Sequence, residues 1–331
     1  DWAIFYKQKY SIYKNILQNT YKNEINENIG LGHSTNLSFP DCEMKFLYWK
    51  IEKDFNVDFN DSIKNGDFFI FDELSYNHFL SHYIFGTERY KQTIENFINN
   101  SNYLCFFSEL FENDELQTIG NKIKDLNFAT LFFKNAHQVF LCNTKNINYL
   151  YKHNIIHNIT YFPPIGYSEL NKQTIIQNER QSTHLLFYGN MVPSFEYRIN
   201  AIEKLKIFSK EKNYNFIIRD DLYDDELDNI LKDTKIVIHI PSHANLHTYP
   251  WAKVCTLMMK KVFFIIEENE EMYIQGLDTI CAFYKRNDAN DLNAKLEYYL
   301  SHNEERDIIT EKCFNYMKTN YNMDELFINL L

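Results

Sequence analysis

Short apolar runs alternate with longer amphipathic stretches along most of this chain. Short apolar runs between polar turns are typical of strands buried on both faces of a parallel sheet, and the stretches between them are typical of the covering helices. We therefore predict an α/β fold. In the first half, the predicted strands are 3–6, 29–33, 68–71, 103–107, 139–142 and 159–162.

The same pattern restarts after a polar stretch at 171–183, which we interpret as a linker. A chain of 331 residues exceeds the usual size of a single core, so two domains are expected. We predict two Rossmann-like, doubly wound domains that face a cleft, at 1–170 and 184–300, followed by a helical tail at 301–331. Ligands of such sheets bind beyond the carboxyl ends of the strands. The predicted strands of the second half are 184–190, 216–221, 235–241, 262–268 and 279–285, and the predicted helices between them include 193–212, 224–232 and 250–261.

Charge and cysteine content limit the class of protein. The formal net charge is −11 and no block of Lys or Arg stands out, so we do not expect a protein that binds nucleic acid through its phosphate backbone. The six cysteines form no Cys-x-x-Cys motif, which predicts buried free thiols in a reducing, cytoplasmic compartment. No apolar run approaches the roughly 18 residues of a membrane span, and the first residues do not resemble a signal peptide.

The sequence lacks the common motifs for dinucleotides and metals. There is no Gly-x-Gly-x-x-Gly fingerprint and no Walker loop. His239, His243 and His247 recur every four residues, which on a helix would form one metal-binding face, but this segment reads as a strand interrupted by a proline. We therefore expect no metal site there. The acidic clusters near Asp58 and Asp220 could hold a divalent ion or form solvated turns and helix caps, and both interpretations remain open.

A phosphate site is predicted at the start of the helix at 250–261. Pro250 suits a first helical turn because it has no amide hydrogen to leave unpaired, and Thr248 precedes it as a cap. The positive end of this helix would point at the carboxyl edge of the sheet, where it stabilises a phosphate. Lys253 lies in the first turn, and we interpret it as a phosphate contact. Glu267 and Glu268 end the next strand, where carboxylates can accept hydrogen bonds from ribose hydroxyls.

The second half resembles the nucleotide-sugar domain of GT-B fold glycosyltransferases, especially the divergent enzymes of large DNA viruses and bacteria. The resemblance rests on "HLLFYGN" with Gly189, on "FIIRDD" with Arg219, and on the stretch 235–268. The candidate donor-binding residues are Gly189, Asn190, Arg219, His247, Thr248, Tyr249, Lys253, Thr256, Glu267 and Glu268.

Two of these candidates match the family pattern closely, and the sequence departs from it at two other positions. The resemblance implies that Lys253 is the basic residue for the diphosphate and that Glu267 is the glutamate at the strand end. Thr256 stands where the family usually keeps the glutamate that binds ribose, which puts the ribose contact in doubt. Lys261 stands where a glycine is usual.

The first half resembles the acceptor domain of the same family, through "YLCFFSELF", "CNTKNINYLYKHNI" and "ITYFPPIGY". In that fold, a base from the N-terminal domain deprotonates the acceptor hydroxyl when the enzyme inverts configuration. A neutral histidine has a suitable pKa for this role, and His33 follows two glycines that let the backbone turn tightly. The catalytic candidates, all at predicted strand ends, are His33, Asp72, Glu73 and Glu109. Each of these residues could equally be a loop residue or a helix cap, and both interpretations stay open.

The resemblance implies a metal-independent glycosyltransferase without a cofactor. Its donor would be a nucleotide sugar, a UDP- or GDP-sugar, and its acceptor a hydroxyl group of a glycan, lipid, protein or small molecule. Two alternatives remain open. One is a GT-B-like protein that binds a nucleotide or glycan without transfer, which the missing glutamate at Thr256 would favour, and the other is a sugar-nucleotide epimerase.

Overall fold

The computed structural model describes most of the chain beyond residue 125 and part of what precedes it. The described residues are 68–71, 76, 80, 83, 88–100, 102–107, 126–155, 158–163, 166–169, 175, 177, 181–220, 222, 224–244 and 249–330. The predicted strands 3–6 and 29–33 lie outside these residues. None of the helices in the described ranges combines the length and the apolar character that crossing a membrane requires.

The chain divides into two compact units, Asp1–Ile165 with Met323–Leu331 and Gly166–Asn322. The stretch 171–183, predicted as a linker, falls within the second unit, and the segment predicted as a tail, 301–331, is divided between the units. Hydrogen bonds explain the first difference. The amide of Ile175 donates to the carbonyl oxygen of Lys260 at 3.1 Å, and the Gln181 side chain donates to the carbonyl oxygen of Thr234 at 2.9 Å, so the polar stretch is tied to the second unit.

The first unit contains a parallel sheet whose four described strands lie in sequence order. Each strand lies within one residue of its predicted bounds, so these predictions are confirmed. The core is aromatic: Tyr103 and Phe132 are buried, and the Tyr103 hydroxyl donates to the Phe132 carbonyl oxygen at 2.5 Å. The elements are β1 (Phe68–Phe71), α1 (Glu88–Asn100), β2 (Asn102–Phe107), α2 (Leu126–Asn135), β3 (Gln138–Leu141), α3 (Thr144–Lys152) and β4 (Ile159–Tyr161).

The second unit contains a five-stranded parallel sheet, and each strand overlaps a predicted segment, although β5 and β7 begin one residue earlier than predicted. Its elements are β5 (Thr183–Tyr188), α4 (Glu196–Glu211), β6 (Phe216–Arg219), α5 (Asp224–Lys232), β7 (Thr234–His239), α6 (Trp251–Met259), β8 (Phe264–Glu267), α7 (Glu270–Ile274), a 3₁₀ turn at Leu277–Thr279, β9 (Ala282–Tyr284), α8 (Ala289–Ser301) and α9 (Asn303–Asn320). Helix α10 (Met323–Leu330) follows and belongs to the first unit.

The order of the strands in the second sheet creates a topological switch point. The spatial order is β6-β5-β7-β8-β9, so the chain passes from β5 to one side and then returns across β5 to β7. All pairings are parallel, which places the carboxyl ends of the strands along one edge. Doubly wound sheets bind ligands at this edge, where the strand order reverses. The segments that leave β5 and β7 therefore flank the expected site.

Apolar side chains fix the helices that surround this edge. Ile202 and Leu205 of α4 pack in one core cluster with Leu292 and Leu296 of α8, and all four are buried. Burying a large aliphatic side chain contributes about 1.5–3 kcal/mol. Helix α6 packs against α9. These contacts hold the first turn of α4 and the first turn of α6 at defined places relative to the sheet.

Helix α6 differs from its prediction at both ends. Pro250 occupies the cap position without a side-chain cap hydrogen bond, and the helix begins at Trp251. Thr248, predicted as the cap, lies outside the described residues. After the last turn, Lys261 adopts a left-handed backbone with φ of 55°, at the position where the resembling family usually has glycine. Such a conformation costs a residue other than glycine about 1–2 kcal/mol.

Candidate functional site

The switch point of the second sheet begins with a glycine that turns the chain out of β5. Gly189 has a φ of 143°, a conformation that residues with a side chain rarely adopt, and its amide donates to the carbonyl oxygen of Arg219 at 3.0 Å. A Cβ atom there would meet only Phe187, at 3.7 Å, so the backbone conformation rather than space requires glycine. The carbonyl groups of Tyr188 and Asn190 are thereby presented on either side of the turn.

Lys253, in the first turn of α6, reaches the end of β5. Its Nζ donates to the carbonyl oxygen of Tyr188 and lies 3.6 Å from the centroid of the Tyr188 ring. The Phe187 ring centroid lies 5.3 Å from the same atom. Two aromatic faces and one carbonyl oxygen therefore surround the ammonium group of this half-buried residue, and all of them favour its charged form.

Arg198, in the first turn of α4, connects the segments that leave β5 and β7. Its Nη1 donates to the carbonyl oxygen of Asn190 at 2.7 Å, and its Nε donates to the carbonyl oxygen of Ile240 at 3.0 Å. The guanidinium carbon lies 5.2 Å from the centroid of the Phe195 ring. Arg198 was not among the residues predicted from the sequence. The available signal was an arginine in the first turn of the helix that follows a strand and a glycine.

Arg198, Lys253 and His239 form a basic cluster that no described carboxylate neutralises. Burial lowers the pKa of Lys253 well below its usual range, and the charge of Arg198 lowers it further. Burial lowers the pKa of Arg198 to about 10. The pKa of His239 falls well below its usual value because of burial and the charges of Lys253 and Arg198. Among the ion pairs of the described residues, none involves Arg198 or Lys253. The positive charges of Arg198 and Lys253 repel each other, and an anion that binds between them would reduce this repulsion.

Glu267 ends β8 and is enclosed by protein. Its side chain is only 4% exposed, although it lies at the edge of the sheet. The Tyr197 hydroxyl donates to Oε2, and the Nε atom of Arg286 lies 3.9 Å from Oε1. Burial raises the pKa of the Glu267 carboxyl group, and the hydrogen bond from Tyr197 and the charge of Arg286 oppose this shift.

Glu268 is held by the segment after β9. Its Oε1 accepts a hydrogen bond from the Arg286 amide at 3.1 Å, and its Oε2 accepts one from the Tyr273 hydroxyl at 3.0 Å. The Glu268 amide in turn donates to the Tyr284 carbonyl oxygen at 2.9 Å. Both carboxylate oxygens of Glu268 thus have partners within the second unit.

Three other candidates lie on the same unit with different surroundings. Tyr249 is buried, its ring centroid lies 4.7 Å from that of Trp251, and its hydroxyl lies 3.3 Å from the Cys281 sulfur, so its side chain is a core contact. Arg219 forms an ion pair with the exposed Glu226 at 2.8 Å. Thr256 is half-buried in the middle of α6, and its carbonyl oxygen accepts the Lys260 amide at 3.0 Å.

The remaining candidates lie outside the described residues. They are the acceptor-side residues His33, Asp72, Glu73 and Glu109 and the loop residues His247 and Thr248. In the part of the chain that the structure describes, no group of three or more His, Cys, Asp or Glu side chains could hold a metal ion.

No protein-family model and no curated protein sequence matches this chain. Its fold is similar to those of solved glycosyltransferase structures. Sucrose-phosphate synthase from Thermosynechococcus elongatus matches with a TM-score of 0.56 and 11% identity, over 93% of this chain and 86% of that chain. HepE from Anabaena, in complex with UDP and glucose, matches with a TM-score of 0.53 and 6% identity, over 82% of this chain and 80% of that one.

TarM matches with a TM-score of 0.53 and 13% identity over 80% of this chain, which spans 54% of the length of TarM. At these identities the comparisons show the fold. They confirm the predicted GT-B-like α/β class with parallel sheets.

Proposed function

We propose that this protein is a glycosyltransferase that moves a sugar from a nucleotide-sugar donor to a hydroxyl acceptor. The observation that carries the proposal is the basic cluster at the switch point of the second sheet. Arg198 and Lys253 lie at the ends of β5 and β7 without a described carboxylate partner, in the place where doubly wound sheets bind phosphates. A donor diphosphate carries negative charge, which would neutralise the positive charge of this cluster.

The cluster also supplies what glycosyl transfer requires of the protein. When the bond between sugar and diphosphate breaks, negative charge grows on the leaving phosphate, and cations that are already in place stabilise that charge. Arg198 and Lys253 are held by backbone carbonyl oxygens and aromatic rings, so little reorganisation is needed. Protein cations can then neutralise the leaving group, and we propose that the reaction is independent of a metal ion.

The donor is proposed to be a UDP-sugar, with a GDP-sugar as the second choice. HepE, which shares the fold, was solved with UDP and glucose, and this makes UDP-glucose the first donor to test. On the acceptor side, we propose His33 as the general base that deprotonates the acceptor hydroxyl. A His33→Ala variant should then lower turnover by roughly 100-fold or more while nucleotide binding stays unchanged.

The experiment that tests the function is an incubation of the purified chain with UDP-glucose, UDP-galactose and GDP-mannose, followed by measurement of released nucleotide and of thermal shift. A transferase without its acceptor should hydrolyse one donor slowly and be stabilised by the corresponding diphosphate. Stabilisation without release would instead support a nucleotide-binding protein, and conversion of the sugar within an intact nucleotide sugar would support an epimerase. No release, no conversion and no thermal shift with any donor would refute the proposal.

A further inference from the structure

The side chain of Glu267 is too enclosed by protein groups to contact a ribose. Its side chain is 4% exposed, and both carboxylate oxygens already have partners, Tyr197 on Oε2 and Arg286 near Oε1. A buried carboxylate whose partners are protein groups stabilises the arrangement of those groups, because losing either one leaves an unpaired buried charge. The contacts of Tyr197 and Arg286 therefore indicate what Glu267 holds in place.

One partner belongs to the first turn of α4. Tyr197 directly precedes Arg198, whose guanidinium group contacts the carbonyl oxygens of Asn190 and Ile240. The hydrogen bond between Tyr197 and Glu267 ties this turn to the end of β8. A shift of the turn would therefore move the guanidinium group of Arg198 away from the switch point.

The other partner holds the segment that follows β7. The Nε atom of Arg286 donates to the carbonyl oxygen of Ala244 at 3.1 Å, and its Nη2 donates to the same oxygen. Ala244 lies between β7 and α6, the helix that carries Lys253. The Arg286 amide is fixed at the same time by Glu268, at 3.1 Å. Arg286 thus connects the Glu267 carboxylate to the chain segment that leads into α6.

We propose that Tyr197, Glu267 and Arg286 form a bridge that positions the two cations of the switch point for a nucleoside diphosphate. The three are positioning residues: Glu267 acts through Tyr197 on the turn that carries Arg198, and through Arg286 on the segment before α6. This inference rests on the proposed function, and it replaces the ribose contact predicted for Glu267 by a role behind the site.

The test measures the affinity for UDP and for inorganic pyrophosphate by titration calorimetry in Tyr197→Phe, Arg286→Gln and the double variant. Each single change should weaken UDP binding about 5- to 20-fold, in the range of typical coupling between sites. The double variant should bind more weakly than either single variant, but its loss should be smaller than the sum of the two single losses, because both changes act on the shared Glu267 carboxylate. The affinity for pyrophosphate should fall in the same pattern, because the substitutions displace the two cations that would contact the phosphates and do not act on the nucleoside.

Matched controls separate the bridge from general effects. Tyr298→Phe removes a hydroxyl that donates to the exposed Glu305 at 2.5 Å, and it should leave UDP affinity unchanged. Arg286→Lys keeps the positive charge but cannot reach Ala244 and Glu267 together, so it should bind as weakly as Arg286→Gln. Normal affinity in Arg286→Lys would mean that only the charge of Arg286 matters and would overturn the bridge.

The affinities of the wild-type protein and of the variants distinguish a failure of the bridge from a failure of the proposed function. If the wild-type protein binds neither UDP nor pyrophosphate, the proposed function fails and this inference fails with it. If the wild-type protein binds UDP and both single variants bind it equally well, the bridge alone is refuted. Additive losses in the double variant would also refute it, because they would show that Tyr197 and Arg286 act separately.

Discussion

The side chains of Lys253 and Arg198 donate to the carbonyl oxygens of Tyr188 and Asn190, on the two sides of the Gly189 turn. Two cations from different helices thus converge on the end of one strand. Each satisfies only part of its hydrogen-bonding capacity with these carbonyls, since an ammonium has three donors and a guanidinium five. The remaining donors and the uncompensated charge are what a diphosphate group would engage.

The first prediction concerns the contribution of Lys253 to nucleotide binding. Lys253→Ala should weaken UDP binding by about 1 to 3 kcal/mol, because a charge-assisted contact to phosphate is lost. Titration calorimetry with UDP measures this. The matched control is Lys295→Ala, which removes an ammonium group that contacts the Phe283 carbonyl oxygen at 2.5 Å and lies 4.6 Å from the centroid of its ring. Equal UDP affinity in Lys253→Ala and the wild type would contradict the site assignment.

The second prediction is a pH dependence of stability caused by Lys253. Its pKa in the folded protein lies well below the unfolded value of about 10.4, so the unfolded chain binds more protons between the two values. The free energy of unfolding must therefore rise with pH in this window, because the folded protein must either bury the charged lysine or release its proton, and both cost free energy.

Replacing Lys253 by Met removes this contribution. The variant should gain stability relative to the wild type at pH 7, and the gain should shrink as the pH approaches 10, which urea unfolding at several pH values measures. Lys206→Met, at an exposed position of α4, serves as the control and should show no such trend. A Lys253→Met gain that stays constant with pH would show that packing, and not the charge, causes it.

The strands of the second sheet and the start of α6 could be predicted from the sequence because both depend on local patterns. Apolar runs between polar turns define β5 to β9, and Pro250 marks the start of α6 within one residue. The position of Arg198 at the site could not be predicted from local patterns. Its partners, Asn190 and Ile240, are brought together only when β5 and β7 pair.

Local sequence patterns also did not predict which polar side chains are buried. Glu267 was interpreted as a ligand contact, yet Tyr197 and Arg286 approach it from distant parts of the chain and cover it. Tyr249 was included among the donor-binding candidates, yet its ring packs with Trp251 in the core. In both cases, the tertiary fold decides whether a polar side chain at a strand end or helix start reaches solvent.

A third prediction concerns metal ions. If Arg198 and Lys253 neutralise the diphosphate, donor hydrolysis should proceed at nearly the same rate after treatment with EDTA. The rate of UDP release with and without the chelator, and after adding back Mn²⁺ or Mg²⁺, measures this. A strict requirement for either ion would contradict the proposed metal independence and would direct attention to the acidic clusters near Asp58 and Asp220.

The last prediction concerns an ion pair between α5 and the end of α6 in the second unit. Lys260 is 6% exposed at the end of α6, and its Nζ lies 2.5 Å from Oδ1 of Asp228 on α5. Asp228→Asn removes the partner charge and leaves the ammonium group nearly buried, which should cost about 2 to 3 kcal/mol, below the full range for buried pairs because Asp228 is partly hydrated.

Lys260→Met tests the same pair from the other side. It removes the buried charge and fills its place with an apolar chain, so the remaining Asp228, whose side chain is 32% exposed, can be hydrated. This variant should therefore lose less stability than Asp228→Asn, and urea unfolding measures both. The exposed pair of Lys206 and Glu203, at 2.7 Å, provides the control, and Glu203→Gln should change the free energy of unfolding by no more than about 0.5 kcal/mol. If Lys260→Met proves more costly than Asp228→Asn, the pair itself, and not the desolvation of Lys260, dominates the energetics at this end of α6.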